Sequence, residues 1–138
     1  MTDILLVAPH QPRSAEILRK STGITQPLGI GYIAAYARRR GLAAAILDND
    51  IEQLDDAAFS GRIRRLAPRC VGLSVCSSSQ NTALHLARLV KSVDPGIKVI
   101  LGGVQPSALP ELALADPAVD FVARGEGEET AAELVLAV

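Results

Sequence analysis

The ten residues Val71-Gly-Leu-Ser-Val-Cys-Ser-Ser-Ser-Gln80 change character in mid-course, from small and β-branched residues to a polar burst just before a helical pattern begins. A run that is apolar throughout, with no alternation, suits a parallel strand covered on both faces. The polar burst then stands at its carboxyl end. In open α/β sheets that end, where strand order reverses, is where ligands bind. Ser74 through Gln80 is therefore the first candidate for a site.

The rest of the chain repeats this alternation. Apolar runs of strand length cover 3–8, 43–47, 97–101 and 119–123. Between them, residues 27–40 place Ile30, Ile33, Ala34 and Ala37 on one helical face, with Pro27 suited to the start and Gly41 to the C-terminal cap. A short helix is expected over 55–66, closed by Pro68. Another is expected over 81–93, with Ala83, Leu86, Val90 and Val93 at helical spacing before the turn signal Asp94-Pro95-Gly96. A helix over 106–115 and a last one running to Val138 complete the pattern, the last with the carboxylates of Gly125-Glu-Gly-Glu-Glu-Thr130 at its positive N-terminus. Five strands interleaved with helices predict an α/β, Rossmann-like (flavodoxin-like) doubly wound parallel sheet with right-handed crossovers, in the order 2-1-3-4-5. The segment 9–26, at 18 residues, exceeds the usual βα connection of about 2–6. A turn of helix is expected inside it over 15–20.

At 138 residues the chain makes a single domain. Its net charge of −1 gives no field to draw nucleic acid or an anionic membrane. With aromatic residues at 3%, it offers no stacking platform for single strands either. No signal peptide and no membrane-spanning run is present, so the expectation is a cytoplasmic protein. Cys70 and Cys76 are too few for a disulfide framework, and their spacing matches no zinc or iron–sulfur pattern. As free cysteines they read most simply as small core thiols.

The topology gathers the loops after the first, third, fourth and fifth strands at one edge. Gly102-Gly103 lets a ligand approach the backbone, or simply makes a tight turn. Ser77, Ser78 and Ser79 offer hydroxyls to a ligand, while Ser79 is also placed to cap the helix that follows. No catalytic set stands out. His85 reads as a surface residue on a helix, and His10, in the right loop, has no evident carboxylate or nucleophile partner. No Gly-x-Gly-x-x-Gly follows the first strand and no Walker loop exists. The strand ends Ala8-Pro9 and Cys76-Ser77 lack the acidic cluster of a phosphorelay receiver.

Four segments carry a resemblance: Gln26-Pro-Leu-Gly-Ile-Gly-Tyr-Ile-Ala-Ala-Tyr36, Val71-Gly-Leu-Ser-Val75, Lys98-Val-Ile-Leu-Gly-Gly-Val-Gln-Pro106 and Val119-Asp-Phe-Val-Ala-Arg-Gly-Glu-Gly-Glu-Glu-Thr130. Together they resemble the N-terminal cobalamin-binding domain of cobalamin-dependent radical SAM enzymes, over nearly the whole chain. The resemblance implies a site built from Pro9 and Gln11 after the first strand, Leu28 and Gly29 at the first helix, and Ser74, Cys76, Ser77 and Ser78 after the third strand. Gly102, Gly103 and Gln105, then Gly125 and Glu126, would complete it.

Cobalamin carriers such as methionine synthase are marked by Asp-x-His-x-x-Gly, then Ser-x-Leu, then Gly-Gly. Here Gly31, Ser74-Val75-Cys76 and Gly102-Gly103 stand at similar spacings, which puts Gln26 in place of the Asp and Leu28 in place of the metal-binding His. The radical SAM group commonly lacks that motif, and the resemblance then implies base-off, His-off cobalamin, with Ser74 lining the slot for the nucleotide tail. His10 is the alternative cobalt ligand. The cluster motif Cys-x-x-x-Cys-x-x-Cys is absent. The four-iron–four-sulfur cluster and S-adenosylmethionine would belong to a C-terminal radical SAM domain outside this chain, whose end at Val138 reads as that of a fragment. A free-standing corrinoid carrier, or a flavodoxin-like domain for another nucleotide-like ligand, are the competing expectations.

Overall fold

The structure, a computed structural model, describes residues 1–11 and 26–138. The turn of helix expected over 15–20 lies outside the described residues. Strands β1 (Ile4–Ala8), β2 (Ala44–Asp48), β3 (Cys70–Ser74), β4 (Lys98–Gly102) and β5 (Phe121–Ala123) form one parallel sheet in the order β2-β1-β3-β4-β5. The expected fold class and strand order hold.

Helices α1 (Leu28–Arg39) and α7 (Glu128–Ala137) cover one face, and α3 (Asp56–Leu66) and α4 (Gln80–Val93) cover the other. Side-chain alternation sorts the strands between them. Leu5, Val7, Val71, Leu73, Val99 and Leu101 point to the α3/α4 side, where Phe59 and Ile63 meet them. Ile4, Leu6, Cys70 and Ile100 point to the α1/α7 side, against Ile30, Ala34 and Val135. In β1, β3 and β4 both faces are buried, which is why these strands are apolar.

Local signals explain the element ends. Gly41 takes φ +82 after α1, and the Leu42 and Gly41 amides donate to Ala37 O and Arg38 O, both at 3.0 Å, closing the helix as the glycine demanded. Asp55 caps α3, its carboxylate accepting from the Ala58 amide at 2.8 Å.

Two expectations change and one helix is added. The single helix expected over 106–115 is two, α5 (Val104–Ala108) and α6 (Pro110–Leu114), because Pro110 lacks an amide hydrogen and starts a helix more readily than it continues one. A short helix α2 (Asn49–Glu52) follows β2 directly, with Asp48 accepting from the Asp50 amide at 3.2 Å. Ser79 does not cap α4 with its side chain. Its hydroxyl instead accepts from the Cys76 amide at 3.1 Å and closes the 3-10 turn Ser77–Ser79.

Candidate functional site

At the carboxyl end of the sheet, Ser74 pairs with Gly102 and Gly102 with Ala123, so three small residues stand in one row across β3, β4 and β5. They belong to the α1/α7 side, because Gly102 and Ala123 are two residues beyond Ile100 and Phe121, which pack there, and Ser74 is four beyond Cys70. Small residues leave the space beneath the helices unfilled. A cavity of about 200 Å³ results. Its floor is Leu6, Gly72 and Ile100, its helical wall Ile30, Ile33 and Ala131, and its mouth Gly29, Ser74 and the turn Gly125, Glu126, Gly127.

The two paired glycines do different things. A Cβ on Gly102 would lie 3.8 Å from Ala123 Cβ, an ordinary contact, so Gly102 keeps the slot open without being forced to by the fold. Gly103 has φ +109, and a Cβ there would fall 2.6 Å from the Val75 carbonyl oxygen. What approaches Gly103 on that side is therefore the chain itself, as the tight-turn reading of the pair has it, while Gly103 also lines the slot. Around it, the Val75 amide donates to Gly102 O at 2.7 Å and the Gln105 amide to Val75 O at 3.3 Å, fastening the β4 loop to the end of β3.

Beside the slot the loops after β1, β3 and β4 meet in a polar network. Gln11 Nε2 donates to Cys76 Sγ at 3.3 Å, Ser78 Oγ donates to Gln11 Oε1 at 2.5 Å, and Ser77 Oγ donates to Gln105 Oε1 at 3.0 Å. Cys76 Sγ also lies 3.2 Å from Ser78 Oγ and 3.4 Å from Ser79 Oγ. Burial pushes this thiol up, but hydrogen bonds with Ser78, Ser79 and Gln11 outweigh it and bring the pKa down to about 6. In Cys70, buried in β3, desolvation instead raises the thiol pKa. Cys70 is a core thiol as expected; Cys76 is part of the network.

The structure thus sorts the residues expected at the site. Gly29, Ser74, Gly102, Gly103, Gly125 and Glu126 line the slot, and Gln11, Cys76, Ser77, Ser78 and Gln105 form the network. Leu28, next to Gly29 at the start of α1, is 63% exposed, and Pro9 is buried. Sequence reasoning missed Asp50. His10 Nδ1 lies 3.5 Å from Asp50 Oδ1, the oxygen that accepts from the Gln11 amide at 3.0 Å, so the histidine does face a carboxylate. Ser107 was missed as well; its hydroxyl accepts from the Gly125 amide at 3.0 Å and ties the β5 loop to α5. His85 sits at the surface as expected, 2.8 Å from Asp56 Oδ1. Among the described residues, no cluster of His, Cys, Asp and Glu could hold a metal ion, and no helix is long and apolar enough to cross a membrane.

Fold and cleft together define a doubly wound α/β domain with a ligand slot opening at the carboxyl edge of its sheet. The B12 binding domain model matches residues 16–135, and the chain belongs to that family. It is 33% identical to an uncharacterized methyltransferase of Pyrococcus horikoshii over 96% of this chain and 28% of that protein. It is 32% identical to the cytidylyl-2-hydroxyethylphosphonate methyltransferase of Streptomyces wedmorensis, over 77% of this chain and 23% of the relative. The anaerobic magnesium-protoporphyrin IX monomethyl ester cyclase of Rubrivivax gelatinosus is 29% identical, over 98% of this chain and 24% of its own. The chain spans about a quarter of the length of these curated relatives. In fold it matches the cobalamin-dependent S-adenosylmethionine radical enzyme OxsB, solved with aqua-cobalamin and S-adenosylmethionine bound. There the TM-score is 0.78 at 21% identity, covering 99% of this chain and 18% of that one.

The residues present fit the group that the family binds. A row of glycine, serine and alanine opens an apolar slot under two helices, a shape suited to a flat aromatic tail, and the network beside it offers amide and hydroxyl groups.

Proposed function

We propose that this chain is the cofactor module of a cobalamin-dependent radical SAM methyltransferase or a related enzyme. In that role it holds the corrinoid over the carboxyl edge of the sheet, with the nucleotide tail drawn into the slot beneath α1 and α7. The observation that carries this is the Ser74–Gly102–Ala123 row, which leaves a cavity open to that edge where larger side chains would fill it.

Bound there, cobalamin supplies a metal centre that accepts a methyl group and passes it on. The chain's own residues bind and orient. Ser74, whose hydroxyl has no hydrogen-bond partner among the described residues, offers a donor and acceptor at the mouth. Gln11, Ser77, Ser78 and Gln105 present amides and hydroxyls suited to the amide groups around a corrin. Leu28 presents methyl groups and no lone pair, so the lower face gains no nitrogen ligand from the position where carriers place histidine. Cobalamin bound in this way would be base-off and His-off.

Cleavage of S-adenosylmethionine falls to a second domain outside this chain. Cys70, buried in β3, and Cys76, engaged in its network, cannot make up the three thiolates that a cluster of that type needs. The relatives, about four times as long, leave room for such a domain. A cytoplasmic setting belongs to the same proposal.

Titration of the purified chain with cob(II)alamin, followed by its visible spectrum, tests the proposal. Saturable binding with a shift to the base-off spectrum is expected. Failure to bind any corrinoid would overturn it.

A further inference from the structure

The walls of the slot limit the kind of tail it accepts. Below the Ser74–Gly102–Ala123 row, the next level on the same face is Leu6, Gly72, Ile100 and Phe121, paired in that order across β1, β3, β4 and β5. The facing helices contribute Ile30, Ile33 and Ala131. None of these side chains carries a nitrogen or an oxygen. The strand amides and carbonyls around them are engaged in the parallel ladder, and those of α1 and α7 in helix beyond the first turns, whose uncapped amides stand at the N-terminal ends of the two helices. The polar side chains of the slot, Ser74, Glu126 and Glu128, all belong to its mouth: the last residue of β3, the β5 loop and the first turn of α7.

Corrinoids differ in the base that ends the tail, which can be a benzimidazole, a purine or a phenol. Adenine carries ring nitrogens and an amino group that water satisfies. Deep in this slot those groups would lose water and meet only hydrocarbon, a penalty worth roughly tenfold to a hundredfold in affinity for one unpaired polar group. The outer edge of dimethylbenzimidazole is two methyl groups, which gain by the same burial.

We infer that this chain selects corrinoids with an apolar tail base, benzimidazolyl or phenolyl, over purinyl corrinoids, and that Leu6, Ile30, Ile33, Ile100 and Ala131 set the preference. The inference rests on the tail position proposed above, and the measurement separates the two. Dissociation constants are compared for cobalamin, p-cresolylcobamide, adeninylcobamide and the tail-less cobinamide.

Adeninylcobamide is expected to bind at least about tenfold more weakly than cobalamin, and p-cresolylcobamide, which has no cobalt–nitrogen bond to give up, at least as tightly as cobalamin. Equal binding of cobalamin and adeninylcobamide, both tighter than cobinamide, would overturn the selectivity and leave the tail in the slot. Equal binding of all four would remove the tail from the slot, and no binding of any would overturn the proposed function; the selectivity falls in both cases. Ile100→Thr, its fold checked by circular dichroism, places a hydroxyl at the floor and is expected to narrow the cobalamin preference at least about threefold. An unchanged ratio in the folded variant would overturn the role given to the floor residues. Should that variant not fold, the comparison of the four corrinoids decides alone.

Discussion

Gly103 and Val75 are in backbone contact at the point where β3 and β4 end: a Cβ on the glycine would lie 2.6 Å from the Val75 carbonyl oxygen and 3.0 Å from its amide nitrogen. The glycine also holds φ +109, ψ −168, a region that side-chain-bearing residues rarely enter. Both constraints act on the folded chain without any ligand. Gly103→Ala is therefore expected to lose about 1–3 kcal/mol of stability, read from the midpoint of urea denaturation of the apo protein. An unchanged midpoint would show that the β4 loop can move away from β3.

Gly102 gives the opposite expectation. Its Cβ position is 3.8 Å from Ala123 and faces the slot, so a larger side chain has room to enter the space intended for a ligand. In Gly102→Leu the denaturation midpoint should stay close to that of the parent, while corrinoid affinity falls at least about tenfold because the branch occupies the mouth. Parent-like affinity in a folded Gly102→Leu would place the ligand elsewhere on the edge.

The sheet was legible because each strand is a short apolar run bounded by Gly, Pro or Asp, and because strands covered on both faces leave no polar alternation to confuse the pattern. The Ser74, Gly102 and Gly125 neighbourhood was legible for a related reason: polar or glycine-rich residues follow directly on apolar strands. Local pattern could not supply pairings made by the fold alone. Asp50 reaches His10 and Gln11 only because β2 lies beside β1, so residues 39 and 40 positions apart meet at one edge. The same limit applies to Ser79, where the local signal for a helix cap is real but the Cys76 amide, three residues back, takes the hydroxyl instead.

Cys76 should react as an acidic thiol. With its pKa lowered from the ordinary 9.0 to about 6, the rate of alkylation by iodoacetamide should rise with pH through a midpoint near 6, while Cys70, buried and with a raised pKa, stays protected in the native state. The fold favours the thiolate, so its contribution to stability is fully present above pH 9.0 and is lost as pH falls toward about 6. Ser78→Ala removes one of the stabilising hydroxyls and should move the alkylation midpoint upward. A midpoint near 9 in the parent chain would contradict the network.

Asp120 joins β4, β5 and α4. Its Oδ2 accepts from Lys91 Nζ at 2.6 Å and from the Val99 amide at 2.7 Å. Burial raises the carboxyl pKa, but the Lys91 and Val99 hydrogen bonds and the lysine charge hold it below the ordinary carboxylate value. The stability it lends is therefore present above that ordinary value and is lost as pH falls through the lowered one. Asp120→Ala leaves the Val99 amide without its partner and the Lys91 ammonium with only the Ile97 and Pro95 carbonyls and no counter-charge, for a loss of about 1–3 kcal/mol at neutral pH. Urea denaturation at pH 7 and pH 3 should show the gap between variant and parent narrowing at the lower pH; a constant gap would mean that packing, not charge, is what the substitution removes.

Leu28 and His10 make opposite statements about the cobalt. Leu28, which the proposed reading sets where carriers place a histidine, is exposed at the start of α1 beside Gly29 and has no atom that donates an electron pair. A tail drawn into the slot past Ser74 also keeps its own base away from the metal. His10 lies on the same edge, with Nδ1 3.5 Å from the Asp50 carboxylate. Unlike Leu28, its imidazole has nitrogen atoms of the kind that ligate metals. Electron paramagnetic resonance of the Co(II) form distinguishes the two. With the lower face against Leu28, the cobalt lines should lack superhyperfine splitting from an axial nitrogen, in the parent chain and in His10→Ala alike. Splitting that is present in the parent and disappears in His10→Ala would make His10 the ligand and overturn the His-off assignment.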